Sequence, residues 1–276
     1  MSVSILVLTL NEENNLPACM ASMGRFDDVV VLDSFSSDGT VKIAEEGGAR
    51  VMQRRFDNWA AHQNWALEHI TFKHPWVFYI DADERMTDEL AAEIQAIAED
   101  PTRSEVAFYC GRRNMFMGKW IKHAMPPGSI MRFFKPPCIR FERLVNPTPV
   151  INGPHGYLQG QLLHYNFSKG LTEWIEKHNK YSLMEAMQGL KERAAGFSDG
   201  GSVLSRDPAV RRKALKALSF RMPLRPLLKF LYLYIVNRGF LDGRAGLTYC
   251  VLQSIYEYMI VIKMQELQRR ENGLPI

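Results

Sequence analysis

Two carboxylates, Asp81 and Asp83, stand two residues apart directly after the apolar run Trp76-Val77-Phe78-Tyr79-Ile80. Where a chain turns at a strand end, such a pair can converge on one divalent cation. Oxygen ligands suit magnesium or manganese, ions that keep several waters and bind substrate phosphates. The ion would offset charge on a diphosphate leaving group. The plainer role of Asp-x-Asp is an acidic loop capping the next helix; the rigid strand before it favours the cation. Two more polar clusters follow apolar runs: Thr9-Leu10-Asn11-Glu12 and Asp33-Ser34. Asp33 is placed for ribose or base recognition, whereas Asp38 in Ser-Asp-Gly-Thr reads as a helix cap. Asn11 and Glu12 read equally as helix starters and as nucleotide contacts.

The elements that must hold these residues alternate. Val3–Leu8, Val29–Leu32, Arg50–Gln53 and Trp76–Ile80 read as short buried strands. Between them, residues 12–23, 41–46 and 57–70 have helical spacing. Thr87 caps a further helix over 88–98, whose Leu90, Ile94 and Ile97 form one apolar stripe. Alternation of this kind predicts parallel pairing in a doubly wound α/β sheet. Ligands of such sheets bind outside the carboxyl ends of the strands, where all three polar clusters fall. Residues 105–167 carry Pro and Gly punctuation and read as extra strands and long loops. From Leu171 onward the pattern is helical.

The chain has 276 residues with 46% hydrophobic and 23% charged residues, an ordinary globular balance for one large domain or one domain with an appendage. Its net charge is only +4, but Arg206, Arg211, Arg212, Lys213, Lys216, Arg221, Arg225 and Lys229 form a basic stripe containing the single acid Asp207. Cys19, Cys110, Cys138 and Cys250 are scattered, which points to reduced thiols in a cytosolic setting rather than a disulfide framework or a zinc site. The N-terminus has no basic segment before its apolar run, so no signal peptide is expected. No uninterrupted apolar run reaches 18 residues, so a simple spanning helix is not predicted either.

Val3–Leu16 (VSILVLTLNEENNL), Val29–Thr40 (VVVLDSFSSDGT), Gln63–Leu67 (QNWAL), Trp76–Thr87 (WVFYIDADERMT), Leu162–Asn166 (LLHYN) and Trp174–Ser182 (WIEKHNKYS) together resemble the family 2 glycosyltransferases. The similar branch adds sugars to lipopolysaccharide core and related envelope glycans. The resemblance implies a GT-A fold, a Rossmann-like nucleotide-diphospho-sugar transferase domain, over residues 1–185. Its donor half would cover about 1–100 and its acceptor half about 101–185, with a helical C-terminal extension over 186–276. It also implies inverting transfer from a nucleotide sugar, most often a UDP-sugar, aided by Mn²⁺ or Mg²⁺. Thr9, Asn11 and Glu12 fall where the family holds the nucleoside, and Asp33 where it reads the base. Asp81, Ala82 and Asp83 occupy the Asp-x-Asp positions, with Asp83 the preferred metal ligand. His164 would approach the diphosphate or metal, or is a buried hydrogen-bonded histidine. Lys177 and Tyr181 would contact phosphate or present one helix face.

Two positions depart from the family. Gln63 stands where many relatives carry Lys or Arg. Leu144-Val145-Asn146-Pro147 replaces a Leu-Val-His-Glu whose acid is a candidate general base, and proline accepts no proton. Inverting transfer needs a base near the acceptor hydroxyl; Glu142, His155 and Glu84 are the substitutes. A sugar-nucleotide-forming nucleotidyltransferase is the alternative enzyme class, but the Gly-rich loop expected after its first strand is missing. A non-catalytic sugar-nucleotide or glycan-binding scaffold is the other, and Pro147 supports it.

The basic stripe joins apolar runs rich in Phe and Tyr through Ile262, a combination found in interfacial helices, each cation adding about 1 kcal/mol near anionic lipid. An anionic membrane surface is therefore the expected partner, with a lipid-linked glycan or lipopolysaccharide acceptor. The expected location is cytoplasmic, peripheral on the inner face of the membrane. A helical subdomain packed on the sheet and a homo-oligomer interface are the alternatives. Nucleic acid is not expected, because no reader motif accompanies the stripe.

Overall fold

The structure is a computed structural model that describes residues 3–126, 128–142, 147–194 and 224–276. Every residue of β1 (Val3–Thr9) is buried, as a strand with helices on both faces must be. Its side chains alternate: Val3, Ile5 and Val7 enter one core, Leu6 and Leu8 the other. After α1 (Leu16–Ala21), β2 (Val29–Asp33) pairs parallel to β1; after α2 (Thr40–Glu46), β3 (Arg50–Gln53) pairs parallel to β2. After α3 (Trp59–His69), β4 (Trp76–Asp81) joins β1 on its other side, again parallel. The predicted alternation therefore holds over these four strands. Their register aligns Thr9 with Asp33, Asp33 with Gln53, and Leu8 with Asp81, so the polar strand ends form one row.

The first helix differs from the expected span of 12–23. Glu12 and Glu13 are held instead by the loop after β2: the Glu12 N–H donates to Thr40 Oγ1 (2.7 Å), and Glu13 Oε2 accepts from the Gly39 N–H (2.8 Å). Helix α3 begins behind its Asn58 cap, whose side chain accepts from the Ala61 N–H (2.9 Å). Thr87 caps α4 (Asp88–Glu99) as expected, and Leu90, Ile94 and Ile97 pack beneath the sheet.

Beyond α4 the sheet becomes mixed. The two-residue strand β5 (Glu84–Arg85), β6 (Ala107–Phe116), β8 (Ser129–Phe134) and β11 (His155–His164) extend it in the order β4-β8-β6-β11-β5, with β8 antiparallel to both neighbours and β6 parallel to β11. Strand β7 (Lys119–Trp120) lies between β6 and β8 in sequence, and β9 (Ile139–Glu142) pairs with β10 (Thr148–Ile151) in a separate ladder. Phe133 stacks on Trp76 with centroids 4.5 Å apart, joining β8 to β4. Burying each such ring stabilises the sheet by about 1.5–3 kcal/mol.

Residues 1–115 and 127–168 form one compact unit; residues 116–126 and 169–276 form a second. The second contains α5 (Gly170–Ala194), α6 (Arg225–Leu231) and α7 (Gly243–Glu271). Ala186 of α5 packs with Ile260 and Met264 of α7. Asp242 accepts from the backbone N–H groups of His123 (2.9 Å) and Ala124 (2.7 Å), and its other oxygen meets His123 Nδ1 (2.8 Å). Residue 185 falls inside α5.

The basic stripe is described only in part: Arg206, Arg211, Arg212, Lys213, Lys216 and Arg221 lie outside the described residues. Arg225 is no solvated cation, since it pairs with Glu257 at 2.7 Å and both side chains are largely buried. Glu257, one of the polar interruptions in the apolar run, thus faces inward. On the other side of α7, Leu247, Val251, Ile255, Tyr258 and Ile262 form an exposed apolar stripe at spacings of three and four. By length and composition Gly239–Glu271 is long and apolar enough to cross a membrane, unlike the sequence expectation, because the helix runs on through Gln253, Ser254 and Glu257.

Candidate active site

The acidic triplet lies where β4 ends and the chain turns into β5. Three contacts fix that turn: the Asp81 N–H donates to Glu84 Oε2 (3.0 Å), Arg85 donates to the Ala82 carbonyl (2.8 Å), and the Tyr165 N–H donates to the Asp83 carbonyl (2.8 Å). The last contact comes from just past the end of β11, whose final residue His164 is paired with Glu84.

Asp81 and Asp83 have different surroundings. One Asp81 oxygen accepts from the Tyr79 hydroxyl (2.6 Å), and the other is in contact with the Arg132 guanidinium. Arg132 also donates to Glu84 (2.9 Å) and lies 4.2 Å from the Tyr79 ring centroid. Arg112 approaches Glu84 at 3.7 Å. Two acids and two arginines therefore balance, with Glu84 and Arg132 buried and Asp81 and Arg112 partly exposed. Burial works against the Arg132 charge, but Asp81 and Glu84 outweigh it and hold the guanidinium protonated. Burial pushes the Glu84 carboxyl up, with Arg132 pulling against that. Burial likewise raises the Tyr79 phenol, with the Asp81 charge adding to it, so Tyr79 keeps its proton and donates.

Asp83 keeps 29% of its side chain exposed, and one oxygen lies 3.4 Å from His164 Nε2. His164 Nδ1 lies 2.9 Å from Asn114 Oδ1. With that oxygen as acceptor, the imidazole proton sits on Nδ1 and Nε2 is turned to Asp83. A ring nitrogen held this way by an oxygen partner is the usual support of a metal-ligating histidine. Among the described residues no group of three or more His, Cys, Asp or Glu forms a cation cage. Asp83 and His164 nevertheless suit magnesium or manganese, which take one or two protein ligands and complete their shell with water and phosphate. Each Asp81 oxygen already meets Tyr79 or Arg132, although its side chain is as exposed as that of Asp83.

The donor-side row is tied by its own hydrogen bonds. Asp33, fully buried, accepts from Thr9 Oγ1 (3.0 Å), the Ser36 N–H (2.9 Å), the Ser36 hydroxyl and Gln53 Nε2 (3.1 Å). Burial pushes its carboxyl up, but the donations from Ser36, Gln53 and Thr9 more than reverse this and keep it ionised. Asn11 bridges the two loops: its N–H donates to Ser36 Oγ and its Oδ1 accepts from the Ser37 N–H, both at 2.8 Å. Glu12 accepts from Asn15 Nδ2 (2.8 Å). The Asp33–Ser36 turn places Phe35 at φ 61°, the left-handed region. For a bulky L-residue this costs roughly 1–2 kcal/mol. Gln63 is buried on α3, and its Oε1 has no hydrogen-bond partner.

The structure brings Thr9, Asn11, Glu12 and Asp33 to one loop cluster, and Asp81, Ala82, Asp83 and His164 to one turn. Of the proposed bases, Glu84 joins the turn and Glu142 and His155 do not. Glu84 is fully buried and engaged by Arg132, leaving no surface on which to meet an acceptor hydroxyl. His155 begins β11 beside Ala107, whereas His164 ends it; nine strand residues separate them by about 30 Å. Glu142 is exposed at the end of β9, opposite Thr148. Leu144, Val145 and Asn146 lie outside the described residues. Lys177 and Tyr181 share one face of α5, with the Lys177 ammonium 5.9 Å from the Tyr181 ring centroid.

Sequence reasoning missed Arg132, Arg112, Tyr79, Asn114 and His62. Arg132 carried a readable signal, a cation inside the apolar run Ile130–Phe134, since a buried charge must be paired. His62 gave none. It lies 3.4 Å from Ser34 Oγ through Nε2 and receives Arg54 at Nδ1 (3.0 Å). Burial first, then Arg54, lowers its pKa and keeps it neutral.

Residues 4–161 match Glycosyl transferase family 2. The lipopolysaccharide core biosynthesis glycosyltransferase LpsC of Rhizobium meliloti (strain 1021) is 25% identical over 280 residues, covering 96% of this chain and 92% of that protein. An uncharacterized glycosyltransferase of Rickettsia typhi is 23% identical, covering 99% and 89%. Among solved structures, S. aureus TarS 1-349 in complex with UDP-GlcNAc aligns over 99% of this chain and 93% of that one, at 15% identity and a TM-score of 0.47. The matched segment spans more than half of the chain and contains both the Asp33 row and the Asp81–Asp83 turn, and so the protein belongs to glycosyl transferase family 2, with a GT-A fold and a helical extension.

Proposed function

We propose that the protein is an inverting glycosyltransferase that moves a hexose-type sugar from a UDP-sugar to a lipid-linked or lipopolysaccharide-type glycan. The observation that carries this reading is the partly exposed Asp83 beside His164, just past the end of β4, where Asp81 falls in one row with Asp33. The acceptor oxygen bonds to the anomeric carbon as the bond from that carbon to the diphosphate oxygen breaks. The electron pair leaves with the nucleoside diphosphate, and the hydroxyl proton passes to a base. Asp83 and His164 would hold a Mn²⁺ or Mg²⁺ ion, which would supply positive charge near the leaving diphosphate. Asn11 and Glu12 hold the nucleoside side, on a loop braced from beneath by the buried Thr9 and Asp33, with Gln63 buried on α3 behind. Asp81, held by Arg132 and Tyr79, fixes the turn that presents Asp83.

Residues 1–185 form the transferase domain in this reading, and 186–276 attach it peripherally to the inner face of the cytoplasmic membrane. The exposed stripe of α7 supports the attachment. Purified protein with Mn²⁺ and a panel of nucleotide sugars should release nucleotide from one donor, and Asp83→Ala should abolish the release. If no donor is bound or cleaved, or Asp83→Ala behaves as the wild type, the enzyme reading fails.

A further inference from the structure

We propose that Phe35 is the stacking platform for the base of the donor nucleotide. The inference rests on the donor reading above. Phe35 sits two residues beyond Asp33, at the carboxyl end of β2, in the left-handed backbone region at φ 61°. The turn imposes that conformation, because Asp33 accepts from the Ser36 N–H at 2.9 Å and the Ser34 N–H donates to the Thr9 carbonyl at 2.9 Å. Glycine adopts it freely, whereas a bulky side chain there is a backbone outlier. Core packing does not repay the strain, since Phe35 is 52% exposed. Strain kept at a surface position beside a binding row points to use of the side chain by a ligand.

The surroundings specify that ligand. The Arg55 guanidinium carbon lies 6.0 Å from the Phe35 ring centroid. At the same edge of the sheet, Phe56 and Trp59 meet edge to face at 5.1 Å, each 42% exposed. Beside Phe35, the exposed Gln53 and the partly buried Ser34 bear hydrogen-bonding groups. A flat ring to stack on, with polar groups at its side, matches a nucleobase: a π face together with an edge of donors and acceptors.

Calorimetry of the full chain with UDP and Mn²⁺ tests this with Phe35→Gly, Phe35→Leu and Phe35→Tyr. Base stacking on an aromatic side chain predicts about a tenfold loss of UDP affinity in the Gly and Leu variants. Phe35→Tyr should keep the wild-type affinity, and Phe35→Gly should melt no lower than the wild type because its backbone is relieved. The uracil H5 and H6 resonances should move upfield on the wild type and not on Phe35→Leu. Affinities of the Gly and Leu variants within twofold of wild type, with Asp83→Ala still weakened, would overturn the proposal and leave the donor reading standing. A Phe35→Gly protein that melts many degrees lower makes the ring structural and overturns it as well. If the wild type binds none of UDP, GDP, CDP or ADP, the donor reading fails and the platform with it.

Discussion

Arg132 of β8 lies on the carboxylate of Asp81, so the first acid of the triplet already has its counter-charge inside the protein. The second acid, Asp83, lies beside His164 instead. A motif that reads as a symmetric pair is in the fold an asymmetric one, with Asp81 turned to Arg132 and Tyr79 and Asp83 to His164.

Replacing Arg132 should therefore act first on folding. Arg132→Met leaves two carboxylates without their partner in a buried space and should destabilise the protein by about 3–5 kcal/mol, read from the urea midpoint. Arg132→Lys should fall between, since an ammonium lacks the planar fork. A midpoint unchanged in Arg132→Met would show that the Asp81 pair carries no stability.

Asn114 should tune the metal without touching it. Asn114→Leu removes the oxygen that holds His164 Nδ1 at 2.9 Å. Loss of such a supporting partner typically costs 10- to 100-fold in metal affinity. Manganese titration of the variant should shift to higher concentration by about that factor, with the fold unchanged by circular dichroism. An unshifted titration speaks against His164 as a ligand.

Asp28 should shape acid stability from the far edge of the sheet. It accepts from Ser4 Oγ (2.5 Å), the Lys73 N–H (2.8 Å) and Arg50 (2.8 Å). Burial pushes its carboxyl up, but those donations more than reverse this, and its pKa lies below the ordinary 3.8. A group lowered in the fold stabilises fully above its unfolded value, and the contribution is lost as pH falls through the folded one. Asp28→Asn should thus be less stable than wild type at neutral pH, and the gap should close below about pH 4. Melting curves across pH 2–7 read this directly, and a constant gap contradicts it.

The stripe on α7 should be separable from the fold. Ile255 and Tyr258 are 49% and 57% exposed, so Ile255→Glu and Tyr258→Glu should leave the melting temperature nearly unchanged. Sedimentation with anionic liposomes should fall sharply in both variants, and wild-type binding should weaken with added salt. Wild-type protein that ignores anionic liposomes removes the membrane from the picture.

The parallel half of the sheet was legible because each strand is a short apolar run with a polar end, and because Thr87 and Gly47 punctuate the helices between. The mixed half was not, since nothing local to Ser129–Phe134 states which neighbour it will meet or in which direction. The start of α1 was misread for a similar reason: Glu12 and Glu13 look like a first helical turn, but their partners Thr40 and Gly39 lie 28 and 26 residues away. His155 looked close to the missing acid along the chain, yet an extended strand carries it to the opposite edge. Asp83 drew notice through its spacing together with the apolar strand before it, whereas the pairing that distinguishes it from Asp81 required Arg132, 51 residues beyond Asp81.

The Asp242 carboxylate bears on the order in which the protein is made. It closes on His123 and Ala124 across 119 and 118 residues, so the segment 116–126 leaves the ribosome long before the acid that anchors it. Such a distant contact forms late and slowly, because the intervening loop must close first. The nascent α/β sheet would then mature with this excursion still unanchored, and the helical unit would be the last part to lock.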